Sequence, residues 1–177
     1  MSNIDVISKL YYTVLGQTLR ERMKSEHVKI IDFGFDDVDD TKSSSDSTIR
    51  GILNGICNLT TNSVKIFLQT LNHNTSQEMY FPSDGFCIQI IKEIFKLVIY
   101  SNHFNNSIFK QTMLQQLGNN HSNPKYIEYF VEEHKEIFLK SFLPIVPKES
   151  KEFSSKYISF LICDWLIELA CIISQNQ

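Results

Sequence analysis

Apolar residues recur at three- and four-residue spacing along most of this chain, a pattern that predicts amphipathic helices. The first helix runs from Ile4 to Met23, with Ile4, Ile7, Tyr11, Val14, Leu15 and Leu19 on one stripe. A second begins near Ser47 or Thr48, either of which suits an N-cap, and carries Ile49, Ile52, Leu53 and Ile56. A third places Val64, Phe67, Leu68 and Leu71 together. Pro82-Ser83-Asp84 then opens the longest apolar helix, with Ile88, Ile91, Ile94, Phe95, Val98 and Ile99. Another starts near Asn105 or Asn106, presents Ile108, Phe109, Met113 and Leu117, and stops at Gly118. Asn123-Pro124 is an N-cap followed by proline at the first helical position. The helix it opens holds Ile127, Phe130, Val131, His134, Ile137, Phe138 and Leu139 before Pro144 and Pro147 end it.

Two stretches depart from this period. Asp32 to Ser47 contains Asp36-Asp37-Val38-Asp39-Asp40 and Ser43-Ser44-Ser45, too polar to bury a core, and is expected to be a mobile linker. Near the C-terminus, Trp165, Ile167, Leu169 and Cys171 alternate with Asp164, Leu166, Glu168 and Ala170. Period two predicts a strand, which needs a partner edge. The expectation is therefore an all-α fold: a six-helix N-terminal bundle followed by a C-terminal strand. The divisions are an N-terminal helix (1–31), an acidic, serine-rich linker (32–47), a helical bundle (48–143), a second linker (144–156) and a C-terminal segment (157–177).

Composition adds three constraints. A chain of 177 residues, 42% hydrophobic and 21% charged, is long enough to bury its own core. Seventeen Lys+Arg against twenty Asp+Glu give a formal net charge of -3, which argues against nucleic acid or anionic lipid as a partner. Alanine occurs once, at Ala170, so helices must be built from weaker helix formers and held by packing. The N-terminus lacks the pattern of a secretory signal. The apolar run Tyr157 to Ile173 is interrupted by Asp164 and Glu168 and is too short to span a bilayer. A cytoplasmic protein without direct membrane insertion is expected, with Cys57, Cys87, Cys163 and Cys171 as buried free thiols.

The candidate chemistry is sparse. Asp32-Phe33-Gly34 copies the metal-binding segment of protein kinases, but the 31 residues before it supply no glycine-rich loop, strand lysine or catalytic loop. It reads as a chance match. In the acidic run from Asp36, position six is Thr41 instead of glycine and position twelve is Ser47 instead of glutamate, which does not suit a calcium loop. The five histidines (His27, His73, His103, His121 and His134) have no metal-ligand spacing with one another or with cysteine. Lys148, Lys151 and Lys156 are interleaved with Glu149 and Glu152, a solvated loop instead of a nucleic-acid footprint. No catalytic residue, cofactor or metal ligand is nominated, and the chain is expected not to be an enzyme.

Four features in order carry a resemblance: Gly51-Ile52-Leu53-Asn54-Gly55-Ile56-Cys57; the proline-initiated helix from Phe81-Pro82 to Ile99; Val131 to Lys140; and Ile162-Cys163-Asp164-Trp165-Leu166-Ile167-Glu168-Leu169. From about Thr48 to Ile173 the chain resembles the COMM-domain family, whose helical N-terminal domain precedes a C-terminal COMM domain with Asp-Trp at its first strand. The acidic insertion falls outside that pattern, and a complete COMM domain needs several dozen residues beyond Trp165. Only its first strand is expected here. The resemblance implies a non-enzymatic scaffold or adaptor subunit, assembled with other COMM-domain proteins and coiled-coil subunits. Its setting would be endosomal cargo recycling, with links to NF-κB signalling and cullin-type ubiquitin ligases. The interface residues it suggests are Trp165, Ile167, Leu169 and Asp164, although Trp165 equally suits core packing. The rival is a Bcl-2-like helix-in-groove regulator of cell death, built around Gly85 to Ile99, in which the tail would be a final helix packed on the bundle.

Overall fold

A helix buried around much of its circumference is the one its neighbours surround. The computed structural model describes residues 2–36, 41–42, 44–73, 75–146 and 155–175. Among them are nine α-helices: α1 (Asn3–Ser25), α2 (Asp46–Leu53), α3 (Thr61–Thr70), α4 (Ser76–Tyr80), α5 (Asp84–Tyr100), α6 (Ile108–Leu117), α7 (Pro124–Glu133), α8 (Lys135–Phe142) and α9 (Ser155–Gln175). Helix α5 buries Phe86, Cys87, Ile88, Ile90, Ile91, Ile94, Phe95, Val98 and Ile99, more than a single face, and so needs cover on several sides. Helices α1, α6, α7 and α8 supply it, while α9 lies against α1, α6 and α8. The fold is all-α, as expected.

With intrinsic helix propensity low, side-chain caps fix where helices begin. Ser2, Ser45, Thr60, Thr75, Ser83, Ser107 and Asn123 each accept a hydrogen bond from a backbone N–H of the first turn. Caps of this kind contribute about 0.5–2 kcal/mol apiece. The expected start of α2 at Ser47 or Thr48 moves to Ser45, and that of α6 moves from Asn105 or Asn106 to Ser107.

The Gly51–Cys57 motif is a helix stop. Gly55 takes φ +68°, its N–H bonds to the Ile52 carbonyl at 2.9 Å, and the Ile56 N–H bonds to the Gly51 carbonyl at 2.9 Å. This is the left-handed double-bonded helix end that glycine adopts without steric cost. It lets the end of α2 press directly on α1, where a Cβ at Gly16 would collide with the Leu53 carbonyl.

The expected linker is anchored at its start. Phe33 is fully buried and packs on Phe67 with ring centroids 4.6 Å apart. The Asp32 carboxylate accepts from the Lys29 N–H at 2.6 Å, closing a short 3₁₀ turn. The Asp-Phe-Gly segment is thus a turn with a core anchor. Phe35–Asp36 pairs antiparallel with Thr41–Lys42, and residues 37–40 and 43 lie outside the described residues. At the junction of the bundle with the second expected linker, Leu143–Ile145 forms a 3₁₀ turn and Val146 is buried, while residues 147–154 lie outside the described residues.

Two further expectations are corrected. The helix predicted from Asn123 to Leu139 is broken at His134, where φ is -104° and ψ is 15°. The imidazole Nδ1 lies 2.9 Å from the Phe130 carbonyl and competes there with the His134 N–H, which is why the helix restarts as α8. The predicted C-terminal strand is instead part of α9. Ile158, Ile162, Trp165 and Leu169 recur at helical spacing and all are buried. That pattern covers more of the segment than the seven-residue alternation at Trp165–Cys171, and packing against α1, α6 and α8 rewards it. No helix among the described residues is long and apolar enough to cross a membrane.

Trp165 is 0% exposed, stacks edge-on against Phe142 at 5.0 Å, and donates its indole N–H to Ser141 Oγ at 3.0 Å. Trp165→Ala is expected to destabilise the protein by about 3–5 kcal/mol, read as a lower urea midpoint. Trp165→Phe, which keeps a ring against Phe142, is expected to cost less than half of that. Gly16→Ala, although it raises helix propensity, is expected to lower Tm because the added methyl meets the α2 backbone.

Candidate interaction surface

Helical geometry separates the four nominated interface residues. On α9, Trp165 and Leu169 turn inward and are fully buried, whereas Ile167 is 68% exposed and Asp164 is also exposed. Successive residues rotate by about 100°, so Ile167 stands opposite the Ile158–Ile162–Trp165–Leu169 stripe. Trp165, Ile167 and Leu169 therefore do not form one face. Trp165 belongs to the core, where Phe142 leads on to Phe81 at 6.0 Å, and Phe81 to Tyr11 at 6.0 Å.

Ile167 instead borders a groove of about 410 Å³ between α9 and α6, to which Asn3 at the start of α1 also contributes. Its remaining lining is Phe104, Ser107, Ile108, Phe109, Cys163 and Leu166. Phe109 and Leu166 are nearly buried and make the floor; Ile108, 72% exposed, faces solvent with Ile167. Sequence reasoning placed Ile108 on the inward stripe of α6. It sits at the first helical position, about 100° around from Phe109, and the register of Phe109, Met113 and Leu117 turns it out. Phe104 and Asn3 carried no sequence signal, since neither belongs to a periodic apolar run.

Two ion pairs elsewhere join helices of the bundle. Lys92 bonds to Glu132 at 2.8 Å and Lys96 to Glu128 at 2.6 Å, tying α5 to α7. The Glu128 carboxyl is held below its ordinary value by the hydrogen bond and charge of Lys96. Burial pushes the Cys87 thiol up to about 12 and also raises that of Cys163, which leaves both as unreactive apolar groups. Cys57 is half-buried, and the side chain of Cys171 lies outside the described residues. Groups of three or more His, Cys, Asp or Glu able to hold a metal ion are absent among the described residues.

The most perturbed histidine is a structural clamp. The His73 side chain is fully buried, and Arg22 Nη1 donates to its Nδ1 at 3.1 Å. Arg22 also donates to the Leu71 carbonyl at 2.9 Å and pairs with Glu26 at 2.6 Å, joining the end of α1 to the turn after α3. Desolvation lowers the His73 pKa, the Arg22 charge lowers it further, and Glu78 and Glu26 oppose them. A lowered histidine pKa means the unfolded chain binds the proton more readily, so stability falls as pH drops below about 6.5. The urea midpoint of the protein is expected to decrease from pH 7.5 to 5.5, and that of His73→Gln to change less over the same interval.

Comparison of the chain with protein-family models, with curated proteins and with solved structures returns no match. The resemblance to COMM-domain proteins rests on the sequence motifs alone, and the fourth of them, Ile162–Leu169, lies in helix α9 and not in the strand that the resemblance implies.

Proposed function

We propose that this chain is a non-enzymatic adaptor, a helical module that joins a multi-protein assembly. Other COMM-domain proteins and coiled-coil subunits are the partners that the sequence resemblance suggests, with endosomal cargo recycling as the setting. The observation that supports an interaction role is the apolar groove between α6 and α9, which leaves Ile108 and Ile167 largely in water. Clustered apolar surface of this kind is a mark of binding surfaces. Strand addition through Trp165 and Leu169 is not the mechanism proposed, because both side chains are in the core. Of the four nominated residues, Ile167 and Asp164 stay available on the surface.

A second reading, the Bcl-2-like regulator, is favoured by one observation: the tail is a final helix lying on a bundle whose central helix, α5, is apolar on several sides. The two readings differ in partner. Affinity purification of the tagged full chain, followed by mass spectrometry, is expected to recover COMM-domain and coiled-coil subunits. Recovery of cell-death regulators without those subunits would instead select the second reading.

A further inference from the structure

The groove has a chemistry of its own. Along α9, Phe160, Cys163 and Ile167 lie within about 60° of one another on the helix surface. They make an outward apolar stripe two turns long beside the groove. Phe160 is 52% and Ile167 68% exposed, so both ends of the stripe face solvent. The opposite wall is Ile108 on α6. Two helices side by side leave a channel whose ridges accept a third helix, presenting anchors at i, i+3 or i+4, and i+7.

The border of this channel is acidic. Asp164 and Glu168 are exposed and flank Ile167 on the side of α9 away from α6. The exposed residues that follow Ile108 on its own face, Gln111 and Gln115, are neutral. Lys110, the lysine of α6, is held by the Ser101 carbonyl at 3.1 Å and the Asn105 side chain at 2.7 Å. None of the described residues that line the groove is a cation. A second copy of this chain docked face to face would set those carboxylates against their own kind, and an anionic membrane would be repelled.

We propose that the α6–α9 groove is the docking site for an amphipathic helix of a partner protein whose apolar stripe is flanked by lysine or arginine. This deepens the adaptor reading and rests on it. The partner's apolar side chains settle between Ile108 and Ile167 over Phe109 and Leu166, and its basic flank meets Asp164 and Glu168.

The test is a titration of the isotope-labelled full chain, followed by NMR, with a synthetic peptide of about 18 residues carrying leucines on one stripe and lysines beside it. Two controls replace the lysines with glutamates or scramble the leucines. The lysine peptide is expected to shift the resonances of Ile108, Phe109, Leu166 and Ile167 and to weaken with added salt. It should also bind at least about tenfold more tightly than either control. Ile108→Ser/Ile167→Ser, at exposed positions, should remove binding while leaving the helical circular dichroism unchanged. Asp164→Lys/Glu168→Lys should reverse the preference toward the glutamate peptide. Equal binding of lysine and glutamate peptides, shifts mapping elsewhere, concentration-dependent dimerisation lost in Ile167→Ser, or flotation with phosphatidylserine vesicles would each overturn the proposal. If the serine double variant still recovers the same partners from cells, the groove assignment fails while the adaptor reading stands.

Discussion

Helix α5 is apolar over more of its circumference than one neighbour can cover, and the rest of the bundle follows from that demand. Four helices press on it, and the aromatic rings between them run outward in a connected series. Tyr11 meets Phe86 of α5 at 6.0 Å, Phe81 meets both, Phe142 meets Phe81, and Trp165 meets Phe142. Edge-to-face pairs add a modest increment to area burial, and their main effect here is to leave few alternative packings. Helix α9 is the outermost member of this series. Its inner stripe completes the core, and its outer stripe is what the core did not need.

Several charged and sulfur-bearing groups also serve this packing. Arg22 and His73 hold the end of α1 to the turn after α3; Lys92 and Lys96 register α7 on α5; the thiols of Cys87 and Cys163 are raised by burial. The groove beside Ile167 combines an apolar floor with a carboxylate border, which suits recognition of another helix better than it suits a small polar substrate.

Much of this could be read from residue spacing. The stripes of α1, α3 and α5, the Asn123-Pro124 start of α7 and the stop at Gly118 follow from local rules that the packing then reinforces. At the C-terminal segment a seven-residue window fits period two, while Ile162 and Ile158, one and two turns before Trp165, carry the helical register. The Gly51–Cys57 motif was visible, but its meaning was not. That Gly55 ends α2 where Gly16 lets α1 approach is a tertiary fact. Phe33, inside a stretch that looked wholly solvated, found Phe67 across the fold. The groove is a tertiary feature for the same reason: it joins Asn3, the Phe104–Phe109 stretch and Ile167, three segments far apart in sequence.

The account depends on α9 being a helix that carries Trp165 into the core and leaves Ile167 outside. The chain has one tryptophan, so its fluorescence reports that position without labelling. Acrylamide quenching of the folded full chain measures it directly. A blue-shifted emission that acrylamide reaches only when the protein is unfolded is the predicted result. Red-shifted emission, freely quenched in a chain whose circular dichroism is still helical, would place Trp165 on the surface and contradict the account.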